Sequence, residues 1–170
     1  FGGQCGVAGR VQAKAKVVMR LGGDEVDFEP DADGLMVYIG HHGGKGAHAA
    51  DIILPGASYA EKDGTYVNTE GRVQFAEKAV FAPGDAREDW TILRALSGVL
   101  GKTLPYNDLA GIRAAMEEDA PHFAMTDVVA PADEMPSLSE GNLDAAPFES
   151  PVKDFYMTNP VARASAVMAE

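Results

Sequence analysis

The sequence predicts an α/β protein whose core is a parallel sheet of the doubly wound type. An apolar, β-branched run at residues 35–39 ends in a glycine-rich corner, and a short Ala-rich piece then leads to a second apolar run at 52–54. Strand, glycine corner, short helix and strand is the β–α–β order of a buried parallel sheet. A further run at residues 16–21 is predicted as another buried strand, and the spacing of the three runs is typical of a doubly wound sheet.

Turn residues delimit these strands. Gly22–Gly23 end the first, and Pro55–Gly56 end the third, because proline cannot donate to a strand ladder. Residues 24–34 are acidic and contain proline and glycine, which predicts a loop. Residues 61–72 are predicted as a polar loop, and residues 73–81 alternate loosely, which fits either an edge strand or an extended connector.

Three helices are predicted in the second half of the chain. Asp85 and Glu88 have the spacing of a capping box, and Gly101 is placed to end that helix. Its broad apolar face comprises Trp90, Leu93, Leu96, Val99 and Leu100. A second helix is expected from about Asp108, and Asn159–Pro160 can open a short last one.

A length of 170 residues is enough for about one domain. We predict an α/β body over residues 1–125 and an extended, acidic, Pro-rich tail with a short terminal helix over 126–170. Residues 1–14 are rich in Gly and Ala and receive no assignment. Because the first residue is Phe1, we expect the chain to be a piece of a longer one, whose preceding part is not given by this sequence.

The formal charge of −12 argues against a nucleic-acid partner and against adhesion to an anionic membrane surface. The charge is uneven. Residues 1–20 contain four basic residues and no acid, whereas residues 104–150 contain ten acids and one base, Arg113. The acidic stretch has two interpretations: a solvated tail, which we favour, or an electrostatic contact with a basic neighbouring subunit.

Cys5 is the only cysteine, so this chain cannot by itself supply the roughly four cysteine ligands of an iron–sulfur cluster. A single thiol also excludes an internal disulfide, and a reducing compartment is the default. The sequence has no apolar run of about 18 residues and no secretory signal pattern at its start, which predicts neither a transmembrane helix nor secretion.

The glycine corner is the first candidate site. Residues 44–49 fit the pattern G-x-G-x-x-A after a strand, where glycines let the backbone approach a pyrophosphate. A dinucleotide site is disfavoured, because the helix available before Asp51 is barely two turns long. A P-loop is excluded, because neither Ser nor Thr follows Lys45. The favoured interpretation is a tight turn.

Histidines in the same stretch form a second candidate. Together with Asp51, His41, His42 and His48 could supply three nitrogens and an oxygen to zinc. Joint ligation is disfavoured, because adjacent residues at a strand end are expected to point in opposite directions. We expect these histidines to hydrogen-bond backbone or to face a neighbouring subunit.

The polar loop at 61–72 is the third candidate, because so dense a polar set could be catalytic. The favoured interpretation is a buried network of ion pairs and amides that locks the loop. No serine lies in a G-x-S-x-G context, which argues against a hydrolase elbow. The polar set comprises Glu61, Lys62, Thr65, Asn68, Thr69, Glu70 and Arg72.

Several stretches together resemble a known family. Residues 50–55, 61–65 and 68–74 resemble the molybdopterin-oxidoreductase superfamily. Within it, Gly40-His41-His42-Gly43 is similar to the largest iron–sulfur subunits of the peripheral arm of respiratory complex I. The resemblance extends over roughly residues 15–116 and 152–168, and includes the segments 86–90, 104–106, 153–158 and 163–165.

This resemblance implies a structural and assembly role. The complex I enzyme moves electrons from NADH through iron–sulfur clusters to quinone and couples this to proton pumping, and its large iron–sulfur subunit keeps the superfamily fold without the pterin cofactor. We therefore expect no catalytic, cofactor-binding or metal-binding residue in this chain, and iron–sulfur clusters in the preceding part of the subunit. The expected partners are other peripheral-arm subunits, on the cytoplasmic face of a bacterial membrane or the matrix side of the mitochondrial one, without membrane insertion.

Two alternatives stay open. The chain could be a piece of an active molybdenum or tungsten oxidoreductase such as a formate dehydrogenase, with the loop at 61–72 or the glycine corner contacting a pterin nucleotide. The acidic, Pro-rich end of the chain disfavours this, because active relatives continue into a β-rich domain. A free-standing zinc or nucleotide-binding module fits the glycine corner but neither the start of the chain nor its tail.

Overall fold

A computed structural model describes residues 15–24, 33–129, 145–150 and 152–169. Several sequence-based predictions concern residues outside these ranges. They include the assignment of Cys5, most of the loop predicted at 24–34, and the central part of the predicted tail.

The predicted parallel sheet is confirmed. Strand β1 (Val17–Leu21), strand β2 (Leu35–Gly40) and strand β3 (Ile52–Pro55) form one sheet in the order β1-β2-β3, and both pairings are parallel. Helix α1 (Lys45–His48) is a single turn that follows the glycine corner and leads toward β3. The β–α–β order read from the sequence is therefore present, with a very short crossover.

Burial within this sheet differs from the prediction. Met36, Tyr38 and Ile39 of β2 are fully buried, whereas Val17 of β1 and Ile53 of β3 are each 55% exposed. The prediction of buried strands was therefore right for β2 and wrong for β1 and β3. The reason is position, since β2 lies between two strands and the other two are the edges of a three-stranded sheet.

The prediction of a polar loop at 61–72 was wrong. Strand β4 (Gly64–Val67) and strand β5 (Val73–Ala76) form an antiparallel hairpin with Thr65 opposite Phe75. Asn68 builds the turn, because its Oδ1 accepts the backbone N–H groups of Glu70 and Arg72 at 3.0 Å each. Most of the predicted polar loop is thus one strand and the turn of a hairpin.

Helix α2 (Asp89–Val99) begins four residues after the predicted cap. Glu88 occupies the N-cap position without a side-chain capping bond, because its carboxylate accepts from Trp90 Nε1 at 2.7 Å. Asp85 lies in the preceding turn, so the predicted capping box was wrong. The end was predicted correctly, since Gly101 takes a φ of 72° just beyond the helix.

The other two predicted helices begin where they were expected, after Asp108 and at Pro160. Helix α3 (Leu109–Asp119) is capped by Asp108, whose carboxylate accepts from Gly111 N. A 3₁₀ turn (Pro121–Ala124) follows it. Helix α4 (Pro160–Ala164) is capped by Asn159 and is followed by helix α5 (Ala166–Ala169). None of the helices among the described residues has the length and apolar character that a membrane crossing needs.

Candidate functional site

The three parallel strands end at one edge of the sheet, and the candidate site is built there. Asp24 follows β1, the glycine corner follows β2, and Gly56 follows β3. Gly56 N–H donates to the carbonyl of Gly40 at 2.9 Å, which joins the ends of β2 and β3. In open α/β sheets, ligands bind outside the carboxyl ends of the strands, so this edge is where the fold would place a binding site.

The glycine corner is packed against the end of β1. The Oδ1 atom of Asp24 accepts the Gly46 backbone N–H at 2.6 Å. A Cβ atom on Gly44 would overlap with the Asp24 carboxylate, and one on Gly46 would lie 2.7 Å from Cε2 of Tyr38. The predicted tight turn is therefore present, and its glycines are needed because the neighbouring side chains leave no room for a Cβ atom.

The C-terminal part of the chain reaches this corner through an ion pair. Arg163 of α4 donates through Nη2 to Asp24 Oδ2 at 3.0 Å. The Asp24 side chain is 3% exposed and that of Arg163 is 33% exposed, so the carboxylate lies inside and the guanidinium covers it. A cleft of about 530 Å³ remains beside the pair and is also lined by Gly44, Lys45 and His48.

The histidines are arranged differently from the prediction. The rings of His41 and His42 meet edge to face, and their Nδ1 atoms lie 2.5 Å apart. The expectation of opposite directions was wrong, because both residues follow the last residue of β2 and the alternation of a strand no longer applies to them. His48 is an exposed residue of α1, and the Asp51 carboxylate accepts from Met36 N at 2.8 Å.

No group of three or more His, Cys, Asp or Glu side chains suited to hold a metal ion occurs among the residues that the structure describes. The set considered for zinc, and disfavoured, does not form such a group there.

An ion pair beside the histidines joins the segment after β3 to helix α2. The Lys62 ammonium pairs with the carboxylate of Asp89, the first residue of that helix. Burial lowers the pKa of His41, and the neighbouring His42 and Lys62 lower it further, whereas Glu61 and Asp89 act in the opposite direction. This side of the sheet edge therefore favours a neutral His41.

The predicted buried network of the polar loop is split into two parts. Glu61 accepts from Ser58 N at 2.9 Å and is half-buried, close to the sheet edge. Glu70 and Arg72 form a pair of 3.4 Å at the exposed hairpin turn, and Arg72 also donates to the carbonyl of Asp127 at 2.6 Å. The prediction of one buried network was therefore wrong, because the hairpin carries its turn residues into solvent.

Three residues organise this edge without having been predicted from the sequence: Asp24, Asp89 and Arg163. A signal existed for Asp24, because it lies three residues after a predicted strand and parallel strands end at the same edge. No pattern in the sequence pairs Arg163 with a residue 139 positions away.

The protein is of the α/β class: it has a parallel sheet, and a glycine-rich crossover lies at the carboxyl edge of that sheet. The chain belongs to the molybdopterin oxidoreductase family, whose model matches residues 7–99, more than half of its length. Residues 128–170 match the model of the C-terminal part of the G-type subunit of NADH-ubiquinone oxidoreductase. The resemblance read from the sequence is therefore confirmed.

Individual relatives agree with these matches. The chain is 45% identical over 168 residues to the mitochondrial NADH-ubiquinone oxidoreductase 78 kDa subunit of Candida albicans and 46% identical over 171 residues to that of Neurospora crassa. It is 44% identical over 161 residues to the mitochondrial NADH dehydrogenase [ubiquinone] iron-sulfur protein 1 of Solanum tuberosum. These matches cover 92–93% of this chain but only 22–23% of the length of the relatives.

Proposed function

We propose that the chain is the C-terminal part of the large iron–sulfur subunit of a proton-translocating NADH:quinone oxidoreductase, respiratory complex I. Its role there is structural: it completes the molybdopterin-oxidoreductase-like domain, of doubly wound type, and carries no redox centre. The observation that carries this proposal is the identity of 43–46% to complex I subunits over 88–93% of the chain. The iron–sulfur clusters would be held by the remainder of the subunit.

The exposed apolar surface supports a scaffold role. Both edge strands present large apolar side chains, and Phe81, which follows the hairpin, is almost fully exposed. Large apolar side chains that are left exposed along both edges of a sheet are typical of surfaces that another part of a protein or complex covers. We expect the remainder of the subunit to cover these faces, with its own strands or helices beside β1 and β3.

The described part of the tail supports contacts with neighbouring subunits. Phe148, Phe155 and Tyr156 are exposed, and acidic Glu149 and Asp154 lie next to them in the chain. Exposed aromatic residues are typical anchors of protein interfaces, and acidic neighbours favour a partner with a basic rim. The proposed partners are other peripheral-arm subunits, and the proposed location is the peripheral arm, on the cytoplasmic or matrix side of the membrane.

The second candidate is an active molybdenum or tungsten oxidoreductase such as a formate dehydrogenase, favoured only by the family match over residues 7–99. The intact protein, isolated through an affinity tag on this chain, separates the two. If the chain belongs to complex I, the isolated protein will have NADH:quinone reductase activity. It will contain more than one iron atom per chain and no stoichiometric molybdenum or tungsten. Formate oxidation together with one molybdenum or tungsten atom per chain would refute the proposal.

A further inference from the structure

We propose that Asp24 and Arg163 form a clasp that engages the Gly46 amide of the glycine corner, beside the cleft of about 530 Å³, and holds helix α4 as a strap across the carboxyl edge of the sheet. This inference goes beyond the proposed function, which assigns no residue at this edge. It rests on contacts within the described chain.

One backbone donor that such a corner would offer to a ligand, the Gly46 N–H, is already in use. In phosphate-binding corners, the backbone N–H groups of a glycine-rich turn point at the anion. Here Gly46 N–H donates to Asp24 Oδ1 at 2.6 Å. A phosphate in this place would have to displace that carboxylate or lie against its negative charge. The single turn of α1 adds little dipole to attract it.

The glycine that looks like a phosphate-binding feature has another reason in this structure. Gly44 lies so near the carboxylate that a Cβ atom would overlap with Asp24. In a nucleotide site, a glycine lets the backbone approach a pyrophosphate because it has no side chain. Here Gly44 lets the backbone approach Asp24 for the same reason. The glycine pattern G-x-G-x-x-A is explained without a bound nucleotide.

Arg163 supplies the charge that a buried carboxylate needs. Burying an anion is costly unless a cation and hydrogen bonds accompany it, and the Asp24 side chain is 3% exposed. The guanidinium lies 3.0 Å away through Nη2, and its Nη1 donates to the Met157 carbonyl at 3.3 Å. Asn159 caps the first turn of α4 by accepting from Ala162 N at 2.9 Å, which orients the helix that presents Arg163.

The family is named for molybdopterin, a pterin that bears phosphate. The Gly46 amide does not fit a phosphate-bearing group, because the Asp24 carboxylate already accepts from it and Arg163 pairs with that carboxylate. Charges of the chain itself therefore hold this edge of the sheet together.

Hydrogen exchange of the intact complex, followed by mass spectrometry, tests the clasp at two segments, residues 43–49 and 159–164. Arg163→Gln removes the cation, and Arg163→Lys retains the charge. Asp24→Asn keeps an oxygen that accepts from Gly46 but removes the negative charge, and Asp24→Ala removes both. Arg72→Gln is the matched control, because Arg72 is 35% exposed and also paired with a carboxylate, yet lies at the hairpin turn.

Arg163→Gln and Asp24→Asn should each speed exchange at 159–164 about tenfold or more, since breaking one partner of a buried pair is strongly destabilising. Asp24→Ala should speed exchange at both segments, and Arg163→Lys should stay near wild type. Arg72→Gln should change neither segment. Wild-type exchange at 159–164 in Arg163→Gln, or at 43–49 in Asp24→Ala, would overturn the proposal.

Inorganic pyrophosphate supplies an independent arm that needs no variant. Millimolar pyrophosphate should leave amide hydrogen exchange at residues 43–49 of the wild-type complex unchanged. Slower exchange of that segment in the presence of pyrophosphate would overturn the proposal. If Asp24→Ala does not assemble, the comparison of Arg163→Gln with Arg163→Lys decides, because Arg163 is 33% exposed and its substitution leaves the buried Asp24 carboxylate with its hydrogen bond to Gly46.

Discussion

Substituting Gly46 by alanine tests the packing of the glycine corner. The new Cβ atom would lie 2.7 Å from Cε2 and 3.0 Å from Cδ2 of Tyr38, and 3.1 Å from the carbonyl oxygen of Gly23. Tyr38 is fully buried in the central strand, so its ring cannot turn away into solvent. Overpacking of this kind costs about 1–3 kcal/mol, and the higher helix propensity of alanine returns up to about 1 kcal/mol. We expect a net destabilisation of about 1–2 kcal/mol.

Gly43 provides the control in the same corner. An alanine there would meet no atom within 4 Å, and its φ is not positive. Gly43→Ala should therefore be neutral or slightly stabilising. Exchange of the amides of β2 in the intact protein measures the local opening free energy of both variants. Equal opening free energies for Gly46→Ala and Gly43→Ala would refute the reasoning, because a Cβ atom meets close contacts at position 46 and none within 4 Å at position 43.

Three further predictions concern other parts of the chain. Asp108→Ala should destabilise α3 by about 1 kcal/mol, because the 2.7 Å hydrogen bond from Gly111 N is lost. Asp108→Asn should not destabilise the helix, because its amide oxygen can accept the same bond. Equal rates of amide hydrogen exchange at residues 109–113 in the two variants would contradict this prediction. Because the pKa of His41 is lowered in the folded protein, the unfolded state binds the proton more tightly. The free energy of unfolding, measured by chemical denaturation, should therefore fall as pH drops below 6.5 and level off below the folded pKa. His41→Gln should make the free energy of unfolding depend less on pH, and an unchanged dependence would count against this prediction. The isolated 170-residue chain should bind the dye ANS strongly, because apolar side chains of both edge strands are exposed; a monomer without dye binding would contradict the scaffold role.

The elements predicted best from the sequence are those in which local chemistry and tertiary structure agree. The strand at residues 35–39 is apolar and is also the central strand, so its composition and its burial point to the same structure. Asp108 caps a helix as its residue type favours. Gly101 has the positive φ that a glycine beyond a helix allows.

The errors arose where a competing contact decided the outcome. Glu88 has the spacing for a capping box with Asp85, but its carboxylate bonds the Trp90 indole instead. Residues 61–72 were predicted as a loop because most of them are polar. Four of them nevertheless form strand β4, because it pairs with β5. Asp24 and Arg163 were missed as a pair because nothing local marks a contact over 139 positions.

The contact between Arg163 and Asp24 also constrains when the fold can be completed. The two residues are separated by 139 positions, so their pairing closes a very long loop and cannot form before Arg163 has been synthesised. A product that stops before residue 163 can build the sheet but cannot fasten its open edge. Premature termination before residue 163 would therefore leave the glycine corner without this ion pair, and helix α4 would no longer tie down that edge.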